Sequence, residues 1–203
     1  MKIAIIDYGM GNIHSVRKAL ESMGAGTIVT NKPADITASD KIILPGVGAF
    51  NDAMEELKKQ GLISVMAKCI KKGKVFLGIC LGMQLLFEES EEATASKGLG
   101  FVNGIVRKLQ AKDGLKVPHM GWNQLQIKNG ACPLLNDIVD GSYVYFCHSY
   151  YPEPQDKSIT AATTDYGIEF ASILWKDNMY AAQFHPEKSQ EIGLKILKNF
   201  VNL

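Results

Sequence analysis

Over residues 1–90, short apolar runs rich in β-branched residues alternate with stretches whose apolar positions recur every three or four residues. Runs of the first kind read as strands, and stretches of the second kind as amphipathic helices. KIAII (2–6) is the first strand. Asn12 then opens a helical pattern through Leu20 that stops at Gly24. TIVT is the second strand, and KIILP (41–45) the third, ended by its proline and Gly46. AFNDAMEELKKQ is an amphipathic helix. LISVMAKCIKKG is another, with lysines in its last turn and a glycine stop, as helix C-termini prefer. KVFLGI (74–79) is the fourth strand and LGMQLLFEES the helix behind it. Strands separated by helix-length segments predict a parallel sheet with right-handed crossovers.

After residue 98 the pattern changes. GFVNGIVRKL, KVPHMGWNQLQI, SYVYFCHSYY, SITAAT, FASILW and MYAAQF read as β segments with few helices between them, which predicts antiparallel additions to the sheet. The prolines and charges of YYPEPQDKS mark a loop. SQEIGLKILKNFVNL closes the chain as an amphipathic helix. No repeat, low-complexity tract or linker interrupts the pattern. The expectation is one three-layer α/β domain over residues 1–203, with a central, mostly parallel sheet.

Composition narrows the role. A chain of 203 residues suits one domain with a substantial core. Apolar content of 46% and charged content of 21% are ordinary for a globular protein. The net charge is +1, and no Lys/Arg cluster stands out, so nucleic acid and membrane surfaces receive no electrostatic support as partners. The opening MKIAIIDYGMGN meets an aspartate too early for a signal sequence, and no apolar run reaches bilayer-spanning length. Cys69, Cys80, Cys132 and Cys147 contain no C-x-x-C pair, and their spacing fits neither a zinc site nor a disulfide framework. A reducing, cytoplasmic setting follows, with no metal and no cofactor expected.

One cysteine has a distinctive context. Gly78-Ile79-Cys80-Leu81-Gly82 has the form G-x-C-x-G and sits where a buried strand meets a helix. In the serine version of this turn the nucleophile occupies a strained bend, and the flanking glycines let neighbouring backbone pass. The sulfur would lie at the carboxyl edge of a parallel sheet, where open α/β folds place ligands. It would also sit at a helix N-terminus, which favours thiolate. The plainer alternative is a small buried hydrophobe, and that suits the other three cysteines.

A thiol nucleophile needs a base. His14 lies in a helical pattern, and His119 and His148 in β-like segments. His185 instead follows the strand MYAAQF and precedes Pro186 and Glu187. A residue before proline is pushed extended, and in extended chain positions i and i+2 share a side. Glu187 would then hold the His185 ring and leave its other nitrogen for the thiol, which is triad logic. Taken alone, His185 reads as a strand-end histidine beside a solvated glutamate; the cysteine elbow favours the catalytic role. Pro45-Gly46-Val47-Gly48 also ends a parallel strand, where glycine-rich turns aim N–H groups at anions. With the Leu81 N–H it would complete an oxyanion hole, although plain βα turns of this composition are common. Gly9-Met10-Gly11 lacks the third glycine of a dinucleotide fingerprint, since His14 stands there.

DYGMGN, LPGVGAF, GICLGMQLLFEES, VPHMGWN, FCHSY and QFHPEKS together, in order across nearly the whole chain, resemble the class I (triad) glutamine amidotransferases. GICLGMQ with QFHPEKS carries the class. PGVGAF with PHMGWN points to the glutaminase subunits of imidazole glycerol phosphate synthase. The resemblance implies that Cys80 attacks the glutamine carboxamide, that His185 moves the proton, and that Glu187 orients His185. It implies that Val47 or Gly48 and Leu81 hold the oxyanion. It makes Gln84 and Glu92 glutamine-binding residues, with Gly48, His148, Ser149 and Tyr150 lining the site largely through backbone. Glu92 has an argument of its own: EESEE crowds carboxylates toward a helix end, where the dipole disfavours them, and a substrate ammonium would relieve one of them.

The same resemblance implies a (β/α)8-barrel cyclase partner in a heterodimer, with Asn12, Trp122, Asn123 and Lys188 at the interface. Core packing is the commoner fate of tryptophan, but glycine before and asparagine after make a poor core context. Two alternatives stay open: a glutaminase subunit serving a paralogous amidation pathway, and a stand-alone cysteine hydrolase.

Overall fold

The alternation read from the N-terminal half folds as a parallel sheet covered by helices on both faces. In a computed structural model, residues 1–93, 96–111 and 114–203 are described. Strands β1 (Lys2–Ile6), β2 (Gly26–Thr30), β3 (Lys41–Gly46) and β4 (Val75–Cys80) are joined by helices α1 (Ile13–Glu21), α2 (Pro33–Ala38), α3 (Phe50–Lys59) and α4 (Leu62–Lys71). There follow α5 (Leu81–Gln84), β5 (Phe87–Ser90), β6 (Val102–Lys108), β7 (His119–Gln124), β8 (Gln126–Ile127), β9 (Tyr143–His148) and β10 (Tyr150–Pro154). β11 (Thr160–Asp165), β12 (Glu169–Lys176), β13 (Met179–Ala182) and α6 (Gln190–Asn202) complete the order.

The central sheet has eight strands in the order β2-β1-β3-β4-β13-β12-β11-β8. The first five are mutually parallel. The last three add antiparallel pairs, as the sequence pattern anticipates. β3 is buried along its whole length. Its side chains alternate: Ile43 joins Leu77, Ile79, Leu20 and Phe200 on the face covered by α1 and α6. Ile42 and Leu44 join Phe76, Leu57 and Met66 on the face covered by α3 and α4. Burial on both faces is why these strands read as continuous apolar runs. Lys41, at the start of β3, is buried and sends Nζ to the carbonyls of Phe200 and Val201 at 2.9 and 2.7 Å, closing the last turn of α6.

Four sequence expectations need correction. The helix drawn over LGMQLLFEES ends after one turn at Gln84, and Phe87–Ser90 is strand β5. The carbonyls a longer helix would use are taken: Leu85 accepts from Leu99, Leu86 from Phe101 and Val102, and Phe87 from Gly100. YYPEPQDKS is not all loop, because its first five residues form β10, paired antiparallel with β6. β10 is an edge strand, where prolines leave no ladder bond unmade. GFVNGIVRKL and SYVYFCHSYY do not extend the central sheet. They pair instead with other segments: β6 and β10 join β5 in a three-stranded sheet, and β9 pairs with β7 from PHMGWNQ, so of KVPHMGWNQLQI only β8 reaches the central sheet, while MYAAQF enters that sheet parallel to β4. Helix α2 has no counterpart in the sequence reading; its six residues are too few to show a period, and only Pro33 at its first position marks it.

Candidate active site

The register of the central sheet brings three segments together. Gly46 of β3 lies beside Cys80, and Ala182 of β13 lies beside Ile79. The glycine loop, the cysteine elbow and the QFHPE stretch therefore leave adjacent strands at the same carboxyl edge. Cys80 turns with φ 54° and ψ −112°, a left-handed conformation that a side chain rarely adopts, and α5 begins at the next residue. The glycines on either side are required by space. A Cβ on Gly82 would run into the carbonyl of Leu44, and one on Gly78 into the backbone of Gly82. Gly48 has φ +98°.

His185 and Glu187 meet as anticipated, by a different local geometry. His185 is extended, but Pro186–Lys188 form a 3-10 turn, and this turn brings the carboxylate back to the ring. Nδ1 of His185 lies 2.9 Å from Glu187 Oε1, and both side chains are buried. The same oxygen accepts from Asn12 Nδ2 at 3.3 Å. Asn12, expected at a partner interface, thus has its side chain against Glu187. Burial pulls the pKa of His185 down, but hydrogen bonding and charge from Cys80 and Glu187 outweigh it and hold the ring at about 10.

These groups open into a cleft of about 330 Å³ lined by Val47, Gly48, Cys80, Leu81, Gln84, Glu92, Pro118, Cys147, His148, Ser149, Tyr150, His185 and Lys188. Every residue expected to react, hold the oxyanion or bind glutamine lies on its wall except Glu187, which stands behind His185. The wall also has details the sequence did not reveal. Gln84 is buried, and its side-chain nitrogen is engaged by the Tyr150 carbonyl at 2.8 Å and Gln183 Oε1 at 3.1 Å. The carbonyls of Ser149 and Tyr150 are already occupied, the first by the N–H of Leu109 and the second by Gln84 and His148. His148 uses Nδ1 on Tyr150 and Nε2 on Nδ1 of His119, at 2.8 and 2.9 Å, so its ring is turned away from chemistry in the cleft.

Glu92 lines the cleft for a reason other than the one anticipated. Because Phe87–Ser90 is a strand, no helix end crowds the carboxylates. Glu91, at the surface, pairs with Arg107 at 2.9 Å and accepts from the N–H of Lys108 at 2.7 Å. Glu92 accepts from the N–H of Phe50 at 3.1 Å, at the start of α3. Partial burial raises its pKa, the Phe50 amide opposes that, and Asp52 adds to it.

Beside the cleft the strand pair β7-β9 presents an exposed face. Trp122 stands opposite Tyr145 in the ladder, is 46% exposed, and meets the Tyr145 ring edge-on at 6.0 Å. Lys188 Nζ lies over the same tyrosine ring, 6.0 Å from its centroid. Met120 is exposed next to them. Trp122 and Lys188 therefore share an exposed surface beside the cleft, and core packing does not account for Trp122. Asn123, expected at the same interface, turns to the opposite face of β7, where its Nδ2 donates to the carbonyl of Asp165 at 2.8 Å and lies 3.3 Å from Nε2 of the buried His119. Sequence reasoning passed over Gln183, although period-two alternation puts it on the His185 side of the same segment. It also passed over the pairing of His119 with His148, a contact between neighbouring strands that no local pattern marks. Among the described residues no cluster of metal-ligating side chains is present, and no helix is long and apolar enough to cross a membrane.

Residues 4–203 match the family model for glutamine amidotransferase class-I, and the chain belongs to that family. Its likeness narrows further, to imidazole glycerol phosphate synthase subunit HisH. It is 50% identical over 204 residues to the HisH subunit of Geobacter sulfurreducens, covering 98% of this chain and 97% of that one. It is 54% identical over 199 residues to that of Bacillus cytotoxicus, covering 98% and 93%. Among solved structures, PurLQS from Thermotoga maritima superposes with a TM-score of 0.76 at 20% identity, covering 99% of this chain and 97% of that chain. The glutaminase domain of Trypanosoma brucei CTPS with bound acivicin gives 0.69 at 16%, covering 100% and 94%. At these identities the two structures speak for the fold alone.

Proposed function

We propose that the chain, acting as one glutaminase domain over residues 1–203, hydrolyses glutamine to glutamate and ammonia for an imidazole glycerol phosphate synthase of histidine biosynthesis. The observation that carries this is the convergence of Cys80, in its left-handed elbow, with the buried His185–Glu187 pair just beyond the end of the neighbouring strand β13. Cys80 gives its proton to His185, and the sulfur attacks the carboxamide carbon. Backbone N–H groups of Leu81 and of Val47 or Gly48 stabilise the oxyanion. His185 returns the proton to the departing nitrogen, ammonia leaves, and a γ-glutamyl thioester remains. Water, deprotonated by His185, then adds to the thioester, and collapse restores the thiol and releases glutamate. Glu187 keeps His185 oriented and stabilises its protonated form, consistent with the raised pKa of the ring. Glu92 offers a carboxylate to the substrate ammonium at the far wall of the cleft.

Ammonia passes to a cyclase subunit built as a (β/α)8 barrel, in a heterodimer. There it reacts with a phosphoribulosyl formimino aminoimidazole carboxamide, giving imidazole glycerol phosphate and aminoimidazole carboxamide ribotide. Trp122 and Lys188 form the docking face beside the cleft, with Asn12 behind it on Glu187. Support comes from the 50–54% identity to HisH subunits and from the exposed Trp122–Tyr145–Lys188 cluster at the cleft border.

The test is labelling with an electrophilic glutamine analogue beside a generic thiol reagent of matched reactivity. The analogue should modify Cys80 far faster, and glutamine should protect it. Equal rates at Cys80 would defeat the glutaminase assignment. Co-purification from the native cell identifies the partner, and a barrel cyclase is the expected result.

A further inference from the structure

Gln183 is fully buried between Cys80 and Gln84, and nothing above gives it a role. One end of its side-chain amide lies 3.8 Å from Cys80 Sγ and the other 3.1 Å from the side-chain amide of Gln84. Which end faces the sulfur decides what Gln183 does, and the surrounding network settles it. The carbonyl of Tyr150 can only accept hydrogen bonds. The Gln84 atom 2.8 Å from that carbonyl must therefore be its NH2. The same NH2 faces Gln183, so the Gln183 atom opposite must be oxygen. The Gln183 NH2 is left pointing at Cys80. The reverse orientation would set two NH2 groups against each other and turn a carbonyl oxygen toward the sulfur.

The lock extends outward. Nδ1 of His148 lies 2.8 Å from the Tyr150 carbonyl and so carries its proton, which makes Nε2 an acceptor for Nδ1–H of His119 at 2.9 Å. Asn123 Nδ2, 3.3 Å away, donates to the remaining nitrogen of His119. Each link has one consistent donor direction, and the direction begins at a backbone carbonyl.

Besides His185 and Gln183, the carbonyl of Cys147 approaches the sulfur at 3.8 Å, and the thiol can donate to it. Once the proton moves to His185, that carbonyl repels the sulfur, and the Gln183 N–H is the side-chain donor on the other side.

We infer that Gln183 is a catalytic residue of the glutaminase, whose side-chain N–H donates to the Cys80 thiolate and holds it for attack. The inference rests on the reading of Cys80 as the nucleophile. Its test is the rate of Cys80 alkylation by iodoacetamide against pH, followed by peptide mass spectrometry on the full chain. Gln183→Leu keeps the volume and removes the donor. It should alkylate about tenfold more slowly near neutral pH, with the profile displaced upward by about one unit, the effect of losing one hydrogen bond to a charged group. Gln183→Glu, which places a carboxylate there, should be displaced further.

A wild-type profile in folded Gln183→Leu overturns the inference. Should that variant not fold, the wild-type chain still decides. The side-chain amide proton signal of Gln183 should move with pH as Cys80 ionises, and the movement should vanish in Cys80→Ala. No such movement overturns the inference equally. The glutamine analogue separates the two levels: failure to label wild-type Cys80 selectively strikes the glutaminase reading, whereas selective labelling with an unshifted Gln183→Leu profile strikes only the role of Gln183.

Discussion

Glu187 Oε1 accepts the Nδ1–H of His185 at 2.9 Å, and the carboxylate making this contact is wholly enclosed. Its second oxygen has no hydrogen-bond partner among the described residues, so its charge is directed at the ring and at Asn12. Glu187→Gln keeps a hydrogen-bonding shape and loses the charge that stabilises the imidazolium. Glutamine hydrolysis should fall, but by less than in His185→Ala. Steady-state ammonia release by the two variants in the presence of the partner, with circular dichroism as a check on folding, makes the comparison. Equal losses would mean that the carboxylate does more than orient and stabilise.

Removing the nucleophile or its base should be far harsher. Cys80→Ala leaves no thiol in the cleft other than that of Cys147, whose carbonyl rather than sulfur approaches Cys80. Hydrolysis should drop by about a thousandfold or more in Cys80→Ala, and nearly as far in His185→Ala, because triad members act as a unit. Substantial ammonia release from either folded variant would break the assignment.

The histidines place an optimum on stability against pH. Burial pushes His119 down to about 4, while burial, with the charges of His119 and His185 and against the Tyr150 carbonyl, pushes His148 down to about 3. Below pH 6.5 the unfolded rings take up protons that the folded ones refuse, so this contribution is complete above 6.5 and is lost as pH falls toward 4. His185, held at about 10, works in the opposite sense: its contribution is complete below 6.5 and is lost as pH rises toward 10. His119→Phe keeps the stacking on Phe146 and Tyr166 and removes one titrating ring. Thermal melts from pH 7 to 4 should show a shallower acid decline in His119→Phe than in the wild type. Parallel declines would mean that the ring takes up its proton in the folded state as well.

Trp122→Ala separates making ammonia from using it. With the indole 46% exposed, its loss should barely change the melting temperature of the isolated chain. As an aromatic anchor it should cost roughly 2 kcal/mol or more of assembly. Glutamine-dependent synthesis by the mixed subunits should fall, and the partner's reaction with added ammonium salt should not. Unimpaired glutamine-dependent synthesis near the dissociation constant would remove Trp122 from the interface.

What was legible in the sequence follows from what is local. Cys80, Gly82 and His185–Glu187 are within a few residues of the features that constrain them, and their motifs read directly. KIILP and KVFLGI announce buried parallel strands because both of their faces are covered. The strand Phe87–Ser90 was misread because its pairing and its capped carbonyls come from residues 98–106, which no window around LLFEES contains. Gln183 and His119 were invisible as functional groups for the same reason: their meaning lies in the orientation of a partner on another strand.

β13 runs between β4 and β12, inside the sheet, although among the described residues twelve other strands precede it in the chain. It carries Gln183 and His185 to the flank of Cys80. A ribosome therefore releases the cysteine elbow, the glycine loop and most of the sheet long before the strand that arms them. Until β13 threads into the gap, Cys80 has neither Gln183 nor His185 beside it. On the reading of Cys80 as the nucleophile, its activation waits until the fold is nearly finished, and selective labelling of Cys80 doubles as a readout of completed folding.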